Sequence, residues 1–91
     1  MTALVKVVKL KPMSGHRLWV RFSDGTEGIR DYTDLIAKGG PIIAPLIEQG
    51  FFDKVFISFG VPSWPNGFDV DAINLQMELR ASGALSHAAA E

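Results

Sequence analysis

The stretch that decides the fold is Arg17-Leu18-Trp19-Val20-Arg21-Phe22-Ser23-Asp24-Gly25. Two kinds of side chain alternate strictly in it: Leu18, Val20 and Phe22 on one side, and Arg17, Trp19 and Arg21 on the other. A period of two places alternate side chains on opposite faces of a strand. Asp24-Gly25 follows at once, and such a pair accepts the positive φ of a two-residue hairpin loop. The pattern predicts a strand over 17–23 that turns back at Asp24-Gly25.

Strands are predicted on both sides of this segment. Residues 4–10 are rich in the β-branched residue valine, which favours strands. Residues 11–15 contain Pro12 and Gly15, which are typical of a turn. Thr26–Asp31 is predicted to be the returning strand. The first third of the chain is therefore expected to form a three-stranded antiparallel meander.

Short helices are predicted after the meander. Residues 32–38 form the first, with Thr33 or Asp34 as its cap and Gly39-Gly40 as its end. Residues 41–49 form a second candidate, which Pro45 divides into single turns and Gly50 ends. A fourth strand is predicted over 55–59, because residues there are β-branched or aromatic.

The second half ends with a turn and a helix. Residues 62–67 read as a turn, in which Pro65 and Asn66 take the central positions and Gly67 closes it. Asp69 or Asp71 is expected to cap a helix that runs to Ala81. The sequence thus predicts an α+β fold: a small antiparallel sheet packed with short helices and a C-terminal helix. It predicts one domain over residues 1–82, followed by a frayed Ala-rich tail over residues 83–91.

Composition excludes several classes of protein. The chain has no cysteine, so disulfide scaffolds, thiolate zinc sites and thiol nucleophiles are excluded. No apolar run approaches the roughly 20 residues that span a bilayer, and the N-terminus lacks a signal-peptide pattern. We therefore expect a cytoplasmic protein that does not associate with membranes.

Charge is unevenly distributed along the chain. The first 23 residues hold five basic and no acidic residues, whereas the remainder holds four basic and ten acidic ones. This asymmetry has two readings: a basic N-terminal ribbon that favours an acidic partner, or strands with solvated polar faces.

Candidate catalytic groups are few. His16 and His87 have no neighbouring carboxylate at a spacing that would orient a base, and both are interpreted as surface histidines. The densest carboxylate group is explained mostly by turns, caps and outward strand positions, with Asp31 the least explained member. Asp69 and Asp71 are spaced as helix caps, and no phosphate-binding or dinucleotide-binding loop is present. We expect no catalytic, metal or cofactor site.

The candidate binding residues are aromatic and basic. Arg17, Trp19 and Arg21 share one predicted strand face, a combination that can stack bases and pair with phosphates. However, a pI near 6.1 lies far below that of a dedicated nucleic-acid binder. Trp19 can equally pack under a helix. Trp64 is either an exposed anchor beside two prolines or a buried staple between the final turn and the sheet.

Five landmarks occur in an order that resembles the bacterial domain-of-unknown-function family DUF2442. They are Phe22-Ser23-Asp24-Gly25, Asp31 with Leu35, Pro45-Leu46, Phe52-Asp53-Lys54-Val55, and Trp64-Pro65-Asn66-Gly67 with Asp69 and Asp71. The resemblance covers residues 4–78 and implies a compact α+β domain. It carries over no site, because the family has no established catalytic residues. Members are often encoded beside a second small protein, an arrangement similar to a toxin–antitoxin pair, and some carry a fused helix-turn-helix domain for which this chain has no room.

Three functional hypotheses follow. The leading one is a non-catalytic protein-binding module, in its narrower form the antitoxin-like member of a two-gene pair, with the neighbouring gene product as partner. The alternative is a nucleic-acid-binding accessory domain that uses Arg17, Trp19 and Arg21. The third is an enzyme that uses Asp31 or Asp69. A homo-oligomer formed through a sheet edge is compatible with each.

Overall fold

Two antiparallel sheets organise the computed structural model, which describes residues 5–87. The elements in chain order are β1 (Val7–Met13), β2 (Arg17–Phe22), β3 (Thr26–Asp31), α1 (Thr33–Lys38), a 3₁₀ helix (Ala44–Ile47), α2 (Gln49–Phe52), β4 (Phe56–Ser58), β5 (Val61–Ser63), α3 (Ala72–Ala81) and β6 (Ser86–His87). The larger sheet has the order β1-β2-β3-β6, and β4-β5 is a separate hairpin. The predicted α+β class is confirmed. Within the described range, no helix combines the length and apolarity needed to cross a bilayer.

The predicted three-stranded meander is confirmed, with β2 at its centre. Leu18, Val20 and Phe22 are each at most 1% exposed and form the middle of the core. The loop between β2 and β3 is longer than predicted, because three residues rather than two connect the strands. The amide of Gly25 donates to the Phe22 carbonyl at 3.0 Å, and Gly25 alone in this loop has positive φ, at 90°.

The first strand extends through residues that the sequence predicts as a turn. β1 continues to Met13, and Pro12 pairs with Leu18 inside the ladder. β1 lies at the edge of the sheet, where proline is tolerated because a missing donor on the open side costs no ladder hydrogen bond. The turn is therefore confined to Ser14, Gly15 and His16.

The start of α1 differs from the prediction. Tyr32 occupies the N-cap position, and neither Thr33 nor Asp34 caps the helix with its side chain. The Asp31 carboxylate instead accepts from the amide of Thr33 at 2.9 Å and from its hydroxyl at 2.8 Å. This Asx turn satisfies an amide at the first helical position, which the helix backbone leaves without a partner.

Gly50 lies inside α2 and does not end a helix, contrary to the prediction. Phe52 in the same short helix is fully buried, and tertiary burial stabilises a helix of four residues more than local propensity does. The strand predicted over 55–59 shortens to β4, which pairs with β5 instead of joining the meander. Pro62 and Ser63, predicted as turn residues, belong to β5.

A cluster of aromatic rings closes the core beside the meander. Trp64 is 1% exposed, and its indole Nε1–H donates to the Phe52 carbonyl at 2.9 Å. Tyr32 lies edge-on to the Trp64 ring at 6.3 Å between centroids. Of the two alternatives for Trp64, the structure shows the buried one. Its side chain is therefore not accessible as a partner contact.

The C-terminal helix begins at Asp71, whose carboxylate accepts from the amide of Asn74 at 2.9 Å. The chain leaves α3 in a Schellman-type turn: the amide of Gly83 donates to Arg80, and that of Ala84 donates to Leu79. Beyond it, the chain departs from the frayed tail expected over 83–91, because β6 pairs with β3. The rest of that predicted tail, residues 88–91, lies outside the described residues.

Candidate functional site

The face of the larger sheet that turns away from the core carries the aromatic and basic residues. The strand register places them in three rows across β1, β2 and β3: Lys9–Arg21–Glu27, Lys11–Trp19–Ile29 and Met13–Arg17–Asp31. We call these nine residues the open sheet face. The helix α3 packs on the opposite side, over β3, where Leu75 and Leu79 are buried. The open sheet face brings together Arg17, Trp19 and Arg21, as the alternation in the sequence predicts.

Trp19 occupies the centre of the open sheet face. It is half-buried, between Lys11 on β1 and Ile29 on β3, and it is not packed under a helix. The Arg21 guanidinium lies 5.6 Å from the centre of its ring, within the range of a cation–π contact. Ile29 is 41% exposed. The centre of this face therefore offers a flat apolar platform with a positive charge stacked beside it.

The charges around Trp19 are mixed but mainly basic. Four basic side chains and two carboxylates share the face. Arg21 donates to Glu27 through Nη2 at 2.9 Å and through Nε at 3.1 Å, whereas the Nε of Arg17 donates to the Ser14 carbonyl at 3.0 Å. Lys9 and Lys11 are exposed on the edge strand. The face is thus suited to a ligand that is acidic and apolar in alternation.

The Asp24-Gly25 turn is tied to the core by a polar network. Asp24 accepts from the Thr26 hydroxyl at 2.7 Å and from the Thr26 amide at 3.1 Å. Gln76 on α3 reaches the other carboxylate oxygen at 2.8 Å. The hydrogen bond from the Thr26 hydroxyl is the main reason that the pKa of Asp24 is lowered from its usual 3.8. Asp24 is therefore ionised at neutral pH, and its carboxylate links the turn to β3 and α3.

The remaining motif residues also occupy structural positions. In the turn after β5, the amide of Gly67 donates to the Trp64 carbonyl at 3.0 Å, with Pro65 and Asn66 between them as predicted. The Asn66 side chain donates to the Ile42 carbonyl at 2.8 Å and links this turn to the segment before the 3₁₀ helix. Asp69 does not cap α3; it is exposed and forms an isolated bridge with Ser63.

A cleft of about 340 Å³ lies between β3, α1 and α3, and Arg30 lies at its centre. The guanidinium donates to Asp34 at 3.0 Å and to Glu78 at 3.2 Å, and it also bonds the Asp31 carbonyl. The hydrogen bond from Arg30 lowers the pKa of Asp34, and the hydrogen bond from the Thr33 amide lowers the pKa of Asp31. The lowered pKa values keep Asp31 and Asp34 ionised at neutral pH, whereas a general acid requires a raised pKa.

The histidines lie apart from this cleft. His16 is half-buried, its Nε2–H donates to the Ile47 carbonyl at 2.8 Å, and its ring lies 5.5 Å from Phe52 in an edge-on contact. It is therefore an anchored residue rather than the free surface histidine expected from sequence. His87 is exposed in β6. Across residues 5–87, no three histidine or carboxylate side chains gather in a way that could hold a metal ion.

Two features of the structure have no clear signal in the sequence. No role is predicted for Arg30 from the sequence, yet it bridges α1 and α3 through Asp34 and Glu78 and stacks 4.7 Å from the centre of the Tyr32 ring. Gln76 is 8% exposed although it lies in a helix whose apolar arc is broad and irregular. Both depend on contacts between segments about 50 residues apart, for which a single sequence offers no pattern.

Comparison with protein families gives one match. The model of the family described as Protein of unknown function (DUF2442) matches residues 7–81, which is most of the chain and includes every strand except β6. Comparisons with the curated proteins and with the solved structures find no match. The resemblance seen in the order of the sequence landmarks is thereby confirmed, and the chain belongs to the family of proteins of unknown function DUF2442.

Proposed function

We propose that this chain is a non-catalytic binding module that recognises an acidic segment of a protein partner through the open sheet face. The observation that carries the proposal is the position of Trp19. It lies half-buried at the centre of a sheet face that no described helix covers, with Arg21 stacked beside it. Tryptophan and arginine are enriched among the residues that dominate binding energy at protein interfaces.

The charge pattern of the face supports a protein partner. Glu27 and Asp31 lie in the two rows that flank the row of Trp19 on the open sheet face. The Glu27 carboxylate forms a salt bridge with the Arg21 guanidinium. Two carboxylates on the contact surface oppose a phosphate backbone, which requires a basic footprint. A protein segment can place acidic residues beside Lys9 and Lys11 and an apolar residue over Trp19. Complementary charges of this kind set specificity and association rate.

The partner proposed first is the product of the neighbouring gene, which would make the chain the antitoxin-like member of a two-gene pair. The experiment is co-expression of the two proteins, followed by pull-down and calorimetric titration. Trp19→Ala is expected to weaken the complex by about tenfold or more, the size of a central contact in an interface. Lys11→Glu is expected to weaken it in a salt-dependent manner.

Matched controls separate this surface from general effects. Met77 is 57% exposed on α3, and Met77→Ala removes a comparable exposed apolar group from the other side of the molecule. Lys38→Glu makes the same charge change at an exposed position on α1. Both controls should bind as the wild type does. Equal affinities of Trp19→Ala and Met77→Ala for the partner would exclude the open sheet face as the binding surface. The lack of any complex would exclude the neighbouring gene product as the partner.

The alternative function is single-stranded nucleic-acid binding by the same face. The alternation of Arg17, Trp19 and Arg21 supports it, because aromatic rings stack bases and arginines pair with phosphates. It predicts that a mixed-sequence oligonucleotide binds with an affinity that falls steeply as salt is raised, and that replacing both arginines by alanine reduces the slope. If the oligonucleotide does not bind, or binds with an affinity that does not change with salt concentration, this alternative is excluded.

A further inference from the structure

The β4–β5 hairpin carries an apolar surface that contributes little to the core. Phe56 is 46% exposed, Ile57 is 39% exposed, and Phe59 at the tip is fully exposed. Phe56 and Ile57 are successive residues of β4 and project from opposite faces, so exposed apolar side chains flank this strand on both sides. We call these three residues the hairpin surface.

The backbone at the tip of the hairpin is unfavourable for the residue that it carries. Ser58 pairs with Val61, so Phe59 and Gly60 form a two-residue loop, and their φ angles are 50° and 78°. Such a loop favours Asn, Asp and Gly, which tolerate positive φ, and a bulky aromatic residue there is strained. Because Phe59 is fully exposed, its side chain gains nothing from packing within the chain. The Phe59 side chain therefore does not offset this strain, and within one molecule the loop is held by the hydrogen bond from the Val7 amide to the Gly60 carbonyl at 2.8 Å.

The outer edge of β4 has free hydrogen-bonding groups. Pro62 lies opposite Ile57, has no N–H, and its carbonyl accepts from the amide of Val70 on the side away from β4. In an antiparallel ladder, the residue opposite also turns its N–H and C=O away from its partner strand. Among residues 5–87, β4 has no backbone hydrogen bond except those with β5. The N–H and C=O of Ile57 are thus free at an apolar edge.

The edge of the larger sheet on β1, by contrast, is protected against strand addition. It carries Pro12, exposed Lys9 and Lys11, and a register shift between Val7 and Lys9. Proline, lysine and irregular register are the means by which natural edge strands avoid pairing with another chain. The sequence Phe56-Ile57-Ser58 has no proline, no charge and no register shift. Of these two strand edges, the one on β1 is protected against pairing with another chain and the one on β4 is not.

We infer that a second copy of this chain pairs with β4, forming an antiparallel β4–β4 dimer with a two-fold axis at Ile57. Ile57 is the central residue of β4, so the two copies exchange N–H···O=C bonds between the same residue, as an isologous interface requires. In this register Phe56 meets Ser58 of the other copy, and Phe59 lies opposite the backbone of Val55, whose own side chain is buried in the core. No charged residue lies within the paired strands, so identical edges meet without repulsion.

The size of the hairpin surface predicts a weak dimer. A phenylalanine side chain buries roughly 150–250 Å². Three partly or fully exposed apolar residues per copy therefore bury less than the roughly 1,200 Å² of a stable interface. The dimer is expected to dissociate on dilution. Because pairing uses every free group of a three-residue edge, assembly closes at two copies and does not extend into fibres.

The experiment is sedimentation equilibrium over about a hundredfold range of protein concentration, a range that mass action requires for a weak dimer. The wild type is expected to shift from monomer to dimer. Ile57→Pro removes the outward-facing N–H, keeps an apolar side chain, leaves the bonds between β4 and β5 in place, and should be monomeric throughout. Phe59→Asn should weaken dimerisation by about tenfold or more while raising the melting temperature, because asparagine tolerates the positive φ. Met77→Asn is the control and should dimerise as the wild type does.

A second readout reports the contact itself. Amide hydrogen exchange at Ile57 should slow as the concentration of wild type rises, whereas exchange at Ser86 should not change. A wild type that stays monomeric at every concentration overturns the inference, as does a dimer that persists unchanged in both Ile57→Pro and Phe59→Asn. A monomeric wild type whose neighbouring gene product no longer binds Phe59→Asn would assign the hairpin surface to that partner and exclude self-pairing.

Discussion

Gln76 on α3 donates its Nε2–H groups to the Asp24 carboxylate at 2.8 Å and to the Thr26 hydroxyl at 2.9 Å. These two bonds join the hairpin loop after β2 to a helix about 50 residues later in the chain. Gln76 is 8% exposed and Thr26 is 6% exposed, so the bond between them is buried, whereas the bond to Asp24 is partly buried. A buried polar network of this kind is stabilising only while every member has a partner.

Replacing Gln76 by methionine should lower the free energy of unfolding by about 1–3 kcal/mol, since it removes one buried and one partly buried hydrogen bond at similar side-chain volume. Urea denaturation followed by circular dichroism measures the change. Met77→Ala in the same helix changes an exposed residue and should shift the midpoint by far less. Gln76→Glu provides a sharper test: a carboxylate beside Asp24 should destabilise more at neutral pH and regain stability when acidified. Equal midpoints for Gln76→Met and wild type would contradict the role of the network.

Acid should destabilise the protein through three aspartates. The pKa of Asp24 is lowered chiefly by the Thr26 hydroxyl, that of Asp31 by the Thr33 amide, and that of Asp34 by Arg30. A carboxyl with a lower pKa in the folded state contributes stability above its unfolded pKa and loses it as pH falls through the folded value. The free energy of unfolding should therefore fall between about pH 5 and pH 2. Asp24→Asn should reduce this slope in urea titrations, and an unchanged slope would contradict the assignment.

The sequence predicts the parts of the fold that depend on local patterns. Strict alternation identifies β2 and its two faces. The helix cap at Asp71, the helix end at Gly83 and the Pro65-Asn66-Gly67 turn are also predicted, because their hydrogen bonds join residues only a few positions apart in the chain. It fails where distant pairing overrides local preference. Pro12 is tolerated because β1 lies at the edge of the sheet, and Ser86–His87 becomes a strand because β3 offers a partner.

The candidate site shows the same division. The alternation alone places Arg17, Trp19 and Arg21 on one face, but their neighbours Glu27, Ile29 and Lys11 depend on the register of three strands. Trp64 has no local pattern that separates an exposed anchor from a buried staple. Its burial follows from the position of Phe52, twelve residues earlier, whose carbonyl accepts the indole hydrogen.

Tyr32 is buried at 2% exposure, and its hydroxyl has no hydrogen-bond partner among the described residues. Tyr32→Phe should therefore raise the free energy of unfolding by about 1 kcal/mol, since burying a hydroxyl without a partner costs roughly 1–3 kcal/mol. The contact with Arg30 should survive, because a phenyl ring also faces a cation. Thermal denaturation measures the change. A loss of stability would indicate that the hydroxyl has a partner.

The same residue offers a spectroscopic test, because Tyr32 is the single tyrosine of the chain. Burial is the main reason that its pKa is raised well above 10.0. Its neutral form therefore contributes stability that is complete below the unfolded pKa and is lost as pH rises above it. Tyrosinate absorbance should appear only together with alkaline unfolding. Ionisation near pH 10 in a folded protein would contradict the burial of the hydroxyl.

Gly28 on β3 lies where the chain after α3 passes closest to the sheet. A Cβ at this position would lie 2.7 Å from the Ala84 carbonyl oxygen and 3.2 Å from Leu79 Cδ1. Gly28→Ala must displace the Schellman-type turn, and we expect it to cost about 1–3 kcal/mol. Gly50→Ala is the matched control: nothing lies within 4 Å of its Cβ position, and alanine favours a helix by roughly 0.5–1 kcal/mol. Opposite shifts in melting temperature are expected, and a shift of the same sign would contradict the close approach.

The two tryptophans should differ in their access to ions in solution. Trp64 is 1% exposed, whereas Trp19 is half-buried on the open sheet face beside Arg21 and Lys11. Iodide should therefore quench part of the fluorescence, and the ratio of iodide to caesium quenching should exceed the ratio for free N-acetyltryptophanamide, because basic side chains concentrate an anion around Trp19. Trp19→Phe should remove the fluorescence component that iodide quenches. Raising the concentration of an inert salt should reduce the excess of iodide quenching over caesium quenching. At low salt, a ratio of iodide to caesium quenching equal to that of the free compound would mean that the face is not electrostatically positive, and the proposal of an acidic partner would lose its physical basis.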